Sequence, residues 1–180
     1  MTTQNDWRMG EREGEQLYKL AYDLKPNVIL ETGTHQGYSG MWFLKALNDL
    51  NQGILITVDI LTPGSYTKIN ANGLQKNHAL ATKNLSSVSD RFVQIVDTIP
   101  DVETIDLLFI NGDHSLAGCL HDLKTYYPKL RKGGLCLMHD FHGIQVPAAF
   151  DMYFSGIKDY PKTELRSNDV FKNDLLVIYK

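Results

Sequence analysis

A chain of 180 residues, 43% of them hydrophobic and 22% charged, is long enough to bury one substantial core, and a single domain over residues 1–180 is the natural expectation. Its net charge of -3 supplies no basic field for nucleic acid, and it holds neither a bilayer-length apolar run nor a charged-then-apolar leader, so nucleic acid and membrane are not expected as partners and the cytoplasm is the default location. The two cysteines, Cys119 and Cys136, lack metal-type spacing and read as small buried residues.

After a polar start, Leu17, Leu20, Ala21 and Leu24 recur at helical spacing within Glu11 to Leu24, and Lys25-Pro26-Asn27 stops that helix. Val28-Ile29-Leu30 is a short apolar run of the kind that buries as a parallel strand, and it ends in an acid, Glu31. The chain then passes through Gly33 and Gly37 into a helical pattern that starts near Ser39, carries Met41, Trp42, Leu44, Ala46, Leu47 and Leu50, and stops at Asn51-Gln52-Gly53. Gly53 to Ile60 is a second buried strand, again with an acid, Asp59, at its end. A strand, helix and strand in this order form a right-handed crossover in a parallel sheet.

The turn between the first strand and its helix reads as a ligand loop. Its glycines let a ligand approach the main chain, and the helix start favours an anionic group. The dinucleotide fingerprint Gly-x-Gly-x-x-Gly is not met, because His35 stands in the second-glycine slot. Glu31 would repel a phosphate and hold an ammonium, so a ligand carrying both an amine and a carboxylate fits better. Asp59 follows Gly33 by 26 residues, near the spacing at which nucleotide folds place an acid on ribose hydroxyls.

Leu61 to Gly73 has loop chemistry, and Leu74, His78, Ala81 and Leu85 mark a further helix face. Arg91 to Val96 reads as a third strand ending in Asp97-Thr98. Ile105 to Ile110 is a strongly apolar fourth strand that delivers Asn111, Gly112, Asp113 and His114 at its end, where open parallel sheets place active sites. Leu116, Leu120, Leu123, Tyr127 and Leu130 line a helix expected to run to Lys132-Gly133-Gly134; Leu135 to Met138 is a fifth strand followed by His139-Asp140-Phe141-His142. Val146 to Phe154, with Pro147 near its start, is a last helix, and Thr163 to Ser167 and Leu175 to Tyr179 are two final strands.

Three stretches together resemble one family. Glu31-Thr32-Gly33-Thr34 with Gly37 and Ser39 is similar to motif I of class I S-adenosylmethionine-dependent methyltransferases, in the form found in small O-methyltransferases of the caffeoyl-CoA and catechol type and their bacterial relatives. Ile110-Asn111-Gly112-Asp113-His114-Ser115 resembles the Ile-Asp-Gly-Asp-His-Ser segment of the bacterial branch, and Leu130-Arg131-Lys132-Gly133-Gly134 before a strand ending in His139-Asp140 is a further signature of that fold. The resemblance implies a three-layer, Rossmann-like α/β fold with a mostly parallel seven-stranded sheet, order 3-2-1-4-5-7-6, closed by an antiparallel C-terminal hairpin.

It also implies a cofactor, S-adenosylmethionine, held by Glu31, Gly33, Thr34, His35, Gly37, Ser39, Asp59, Ile60, Asp97 and Asn111, with Asp97 near the adenine. Glu13-Gly14-Glu15-Gln16-Leu17 is similar to a segment that lies near the cofactor in the caffeoyl-CoA type. The implied partner is a small-molecule methyl acceptor, and the pattern is compatible with a homo-oligomer. Asp113, His114 and Asp140 are the catalytic candidates.

Methyl transfer from a sulfonium needs alignment of donor and acceptor, and a hydroxyl acceptor must lose its proton to a general base or to a metal. Asn111, Asp113 and Asp140 are candidate ligands for Mg2+, whereas metal-dependent relatives carry an acid where Asn111 stands and Asp-Asp or Asp-Asn where His139-Asp140 stands. The histidines could instead attract zinc or iron, and without metal His114 or His139 is the candidate base. Two other classes stay open: a non-catalytic S-adenosylmethionine-binding scaffold, suggested by Asn111, and a nicotinamide-dependent oxidoreductase, opposed by the glycine spacing and Glu31. Hydroxylase chemistry also occurs among relatives of the bacterial branch.

Overall fold

The structure, a computed structural model, describes residues 10–59, 71–96, 100–157, 159–166 and 174–180, with the backbone alone for 71–75. The elements run α1 (Glu11–Leu24), β1 (Val28–Thr32), α2 (Tyr38–Leu50), β2 (Ile54–Asp59), α3 (Ala71–Ser86), β3 (Phe92–Val96), β4 (Ile105–Ile110) and α4 (Leu116–Tyr126). A 3-10 turn (Tyr127–Lys129) leads into β5 (Leu130–Met138), α5 (Gln145–Phe154), β6 (Lys162–Arg166) and β7 (Leu175–Tyr179). The strands form one sheet in the order β3-β2-β1-β4-β5-β7-β6, parallel except for the β5/β7 and β7/β6 pairs. The expected order and hairpin are those observed.

The central strands are apolar on both faces because helices cover both. Along β1, Ile29 faces a core shared with Leu17 and Leu20 of α1 and Phe43 and Leu47 of α2, while Leu30 faces the opposite core, with Leu123 of α4 and Phe150 of α5. Each such fully buried side chain contributes roughly 1.5–3 kcal/mol. Parallel pairing therefore fixes the C-terminal ends of β1, β2, β4 and β5 along one edge of a rigid sheet. That edge carries the candidate site.

Two local expectations are corrected. The helix after Ser115 ends at Tyr126, not near Gly133: Tyr127 and Pro128 form the 3-10 turn, and Leu130 already pairs with Ile105 as the first residue of β5. A helix-spaced apolar pattern had run on through residues that are buried for a different reason. Second, α2 ends where expected, but the residue that stops it is Asn51 and not the glycine: Asn51 takes the left-handed conformation at φ 52° and donates its N–H to Asn48 O, and Gly53 bends the chain two residues later.

Candidate functional site: a glycine loop beside a histidine–aspartate cluster

The loop after β1 is built around two residues with positive φ that only glycine adopts easily, Gly33 at 89° and Gly37 at 80°. At Gly33 the sequence reading attributed the missing side chain to ligand approach. The immediate occupant is the chain itself: a Cβ there would lie 2.1 Å from the backbone oxygen of Asn111. The Gly33 N–H donates to Val58 O at 2.7 Å, and the Asn111 N–H donates to Thr32 O at 3.0 Å. Gly33 thus locks the loop to the ends of β2 and β4 at once. Gly37 opens α2 and packs against Ala81 and Leu85 of α3.

Asp59, at the end of β2, turns back to this loop, where the backbone N–H of His35 donates to its two oxygens at 3.1 and 3.3 Å. Burial raises the Asp59 carboxyl above its ordinary value, against the His35 N–H. Burial also lowers His35, against the pull of Asp59.

Beneath the loop runs a chain of buried polar groups. Thr34 and Thr57 hydroxyls lie 2.7 Å apart, the Thr57 hydroxyl donates to Glu31 Oε2 at 2.6 Å, and the Ser39 hydroxyl donates to Glu31 Oε1. Glu31 is wholly buried, and burial pushes its carboxyl up to about 7 despite these hydrogen bonds. Sequence reasoning gave Glu31 to the ammonium of a ligand. In the structure its oxygens take hydroxyls of its own chain, so its direct contacts belong to the floor of the loop. Thr57, which completes that floor, was not singled out: a threonine in an apolar strand carries no local signal.

The second part of the site stands at the ends of β4 and β5. Asp140 Oδ2 lies 3.2 Å from His114 Nδ1 and 3.4 Å from His139 Nδ1, and His114 Nε2 lies 3.3 Å from Asn111 Oδ1. His139 is buried; its Nε2 pairs with Glu13 of α1, which is itself 2% exposed. Burial opposes a charge on His139, but Asp140 and Glu13 outweigh it and raise the imidazole to about 9. For Asp140, burial is overcome by His139, His114 and His142, and its carboxyl is held below the usual range. Burial lowers His114, against Asp140.

Asp113 takes a different place from the one expected of a metal ligand. Its Oδ1 accepts the Ser115 N–H at 2.9 Å, and it packs against Gly118, where a Cβ would fall 2.6 Å from its own. With Ser115, whose hydroxyl accepts from Gly118 N at 3.0 Å, it caps the start of α4. The groups actually gathered within 4.8 Å of one another are His114, His139 and Asp140. Two imidazole nitrogens and one carboxylate are a poor match for Mg2+, which prefers an octahedron of oxygens.

Glu13 is the residue that sequence reasoning reached only through resemblance. Gly14 lets α1 press against α2, since a Cβ there would fall 2.0 Å from Trp42 Nε1, and the neighbouring Glu13 is thereby set over His139. The partners are 126 positions apart, a pairing no spacing rule reveals. Ile60 and Asp97, as well as Met9 and most of the loop 61–73, lie outside the described residues.

A glycine loop, a strand-end acid and a polar cluster on this sheet edge, under the order 3-2-1-4-5-7-6, define the class I methyltransferase fold. The chain belongs to the methyltransferase-domain family, whose model matches residues 30–141. Among solved structures it is similar to the O-methyltransferase TomG of Streptomyces achromogenes in complex with SAM, at 18% identity and a TM-score of 0.72 over 98% of this chain and 83% of that one. The O-methyltransferase of Bacillus cereus in complex with SAH is similar at 15% identity and a TM-score of 0.72, over 97% and 84%. An uncharacterised protein of Acanthamoeba polyphaga mimivirus shares 27% identity over 117 residues, 63% of this chain, which spans about half (51%) of that relative's length. No helix among the described residues is long and apolar enough to cross a membrane.

Proposed function

We propose that this chain is an S-adenosylmethionine-dependent methyltransferase that methylates a hydroxyl oxygen of a small molecule. The observation that carries the reading is the adjacency of two unlike sites on one rigid edge: the loop Gly33–Gly37 with Asp59, and the His114–His139–Asp140 cluster, joined through Asn111. TomG and the Bacillus cereus enzyme, which share this fold, are O-methyltransferases with SAM and SAH bound. The bound donor supplies the electrophilic methyl group.

The residues here fit such a donor. Asp59 offers a carboxylate to the ribose hydroxyls, already held in orientation by His35 N–H. The loop and the start of α2 offer backbone N–H groups to the carboxylate end. Glu31, Thr34 and Ser39 form the polar floor that fixes the loop's shape, and Ile60, Asp97 and Asn111 complete the cofactor set on the sequence pattern. On the acceptor side His114, the more exposed of the two cluster histidines, faces the incoming hydroxyl with Asp140 behind it and governs its proton. Asp113 fixes the turn that carries His114.

Calorimetric titration with S-adenosylhomocysteine and with NAD tests the cofactor. The adenosyl compound is expected to bind and NAD to fail, and Asp59→Ala to weaken binding roughly 10- to 100-fold, the worth of a hydrogen bond to a charged group. Transfer of one methyl from labelled donor to phenolic and catecholic acceptors, lost in His114→Ala with S-adenosylhomocysteine binding intact, tests the reaction. Binding of NAD alone, or an Asp59→Ala chain that binds as well as the parent, overturns the reading.

A further inference from the structure

The cluster at the ends of β4 and β5 has a donor chemistry that the methyltransferase reading does not explain. His139 is held on one side only. Its Nε2 is engaged by buried Glu13, while its Nδ1, also buried, makes no aligned hydrogen bond among the described residues and lies 3.4 Å from Asp140 Oδ2. An orphaned buried nitrogen is costly and calls for a missing partner. A carboxylate behind the far nitrogen is the arrangement that orients a metal-binding imidazole and raises its basicity.

The two edges that meet at Asp140 agree with a cation between the side chains. Metal–nitrogen and metal–oxygen bonds of about 2.1 Å place neighbouring ligand atoms about 3.0 Å apart at a right angle and about 3.4 Å apart at a tetrahedral angle. The observed edges are 3.2 Å from Asp140 to His114 and 3.4 Å from Asp140 to His139, and all three ligand atoms lie within 4.8 Å of one another. The backbone adds a sign of its own: Asp140, not a glycine, stands at φ 51°, a strained conformation of the kind concentrated at ligand sites.

We propose that His114 Nδ1, His139 Nδ1 and Asp140 bind a borderline divalent transition ion, of the zinc and ferrous iron type, in place of magnesium, with Glu13 as the residue that positions His139. Two imidazoles and one carboxylate are the donor set such ions select, and three protein ligands leave positions open to solvent or to an acceptor oxygen. The inference shares its cluster with the proposed acceptor site, but its test needs neither donor nor acceptor, so the failure of one is distinguishable from the failure of the other.

The test uses untagged full-length protein stripped with chelator and titrated at neutral pH with ZnCl2, CoCl2 and MgCl2, followed by calorimetry, by the melting temperature and, for cobalt, by its visible spectrum. Zinc and cobalt are expected to bind one per chain and raise the melt, with nitrogen ligation visible in the cobalt bands, and magnesium to do neither at millimolar concentration. His114→Ala, a change at a partly exposed residue, is expected to weaken zinc at least 30-fold while S-adenosylhomocysteine binding stays at the parent value. Glu13→Gln is expected to weaken zinc roughly 10- to 100-fold, with nitrogen ligation retained in the residual cobalt spectrum. Magnesium binding as tightly as zinc, or zinc affinity unchanged in His114→Ala and in Asp140→Asn, overturns the proposal and leaves His139 as an imidazolium clamped between two carboxylates.

Discussion

The two ends of the sheet differ in how completely they satisfy their buried polar groups. At the N-terminal end, Asp106 of β4 accepts the backbone N–H groups of Asn27 and Val28 at 2.9 and 2.8 Å and pairs with Arg131, and these partners outweigh its burial to hold the carboxyl below the usual range. At the C-terminal end, Glu31 is raised to about 7, His139 Nδ1 makes no aligned hydrogen bond among the described residues, and His35 and Asp140 sit at positive φ. A saturated carboxylate ties β4 to the start of β1 and to β5. Unsaturated and strained groups, concentrated on the opposite edge, mark the end of the sheet that is shaped for something the chain does not itself contain. Substitutions at the first end should change stability alone, and at the second, stability and binding together.

The largest effect is expected at Gly33→Ala. The new Cβ would fall 2.1 Å from Asn111 O, on backbone held by hydrogen bonds from both neighbouring strands, and φ 89° is strained for alanine in any case. Strain of this kind costs about 1–3 kcal/mol and the backbone clash adds to it. Urea unfolding should show a loss of about 3 kcal/mol or more, and any chain that still folds should lose S-adenosylhomocysteine affinity. A folded variant that keeps full affinity would show that the loop and the end of β4 are not one unit.

Next comes the pH dependence carried by Glu31. Its carboxyl titrates at about 7 in the folded chain against an ordinary 4.5, so the folded state keeps the proton that the unfolded state has already released. The stability this represents is complete below about pH 4.5 and is lost as the pH rises to about 7, a change of about 3 kcal/mol. Glu31→Gln cannot titrate. Unfolding free energies at pH 5 and pH 8 should fall apart in the parent by about 2.5 kcal/mol more than in the variant, part of the change being complete already at pH 5, and equal pH slopes in the two chains would rule the shift out.

Asp106→Asn should cost about 2 kcal/mol, because the Arg131 guanidinium and two backbone N–H groups then face an amide that no longer carries a charge. The wild-type contribution is present above the ordinary Asp range and disappears as the pH falls through the depressed folded value. The informative readout is the pair of measurements. A fall in chemical stability with unchanged S-adenosylhomocysteine affinity supports the division between the two ends of the sheet, and a parallel fall in affinity breaks it.

That division was only half legible in the sequence. The strands, their order and the edge that would hold a ligand follow from short apolar runs that end in acids and glycines, because burial on both faces of a parallel sheet leaves a dense local signal. Asp59 and the loop glycines were found for the same reason. What spacing could not supply was the direction of individual side chains. Glu31 turns under its loop to Ser39 and Thr57, Asp113 caps a helix, and the cluster takes in His139 through Glu13, a partner from the opposite end of the chain. Such contacts are set by how α1 lies across α2, down to the single missing side chain at Gly14, and they leave no periodic trace.

The smallest effect is the cleanest control. Lys25 closes α1 in the left-handed conformation at φ 54°, donating its N–H to Ala21 O at 3.0 Å and accepting from the Gln52 side chain at 2.9 Å, just before the residues that Asp106 holds. A non-glycine residue in this region is strained by roughly 1–2 kcal/mol, and glycine removes that strain while adding freedom to the unfolded chain. The two contributions leave Lys25→Gly with an expected gain of about 0.5 kcal/mol in urea unfolding. Because the relief falls at the saturated end of the sheet, affinity for S-adenosylhomocysteine and for zinc should both stay at the parent value. A change in either, from a site so far along β1 from Gly33, would mean that the strands transmit what happens at one end to the other and that the two edges are not independent.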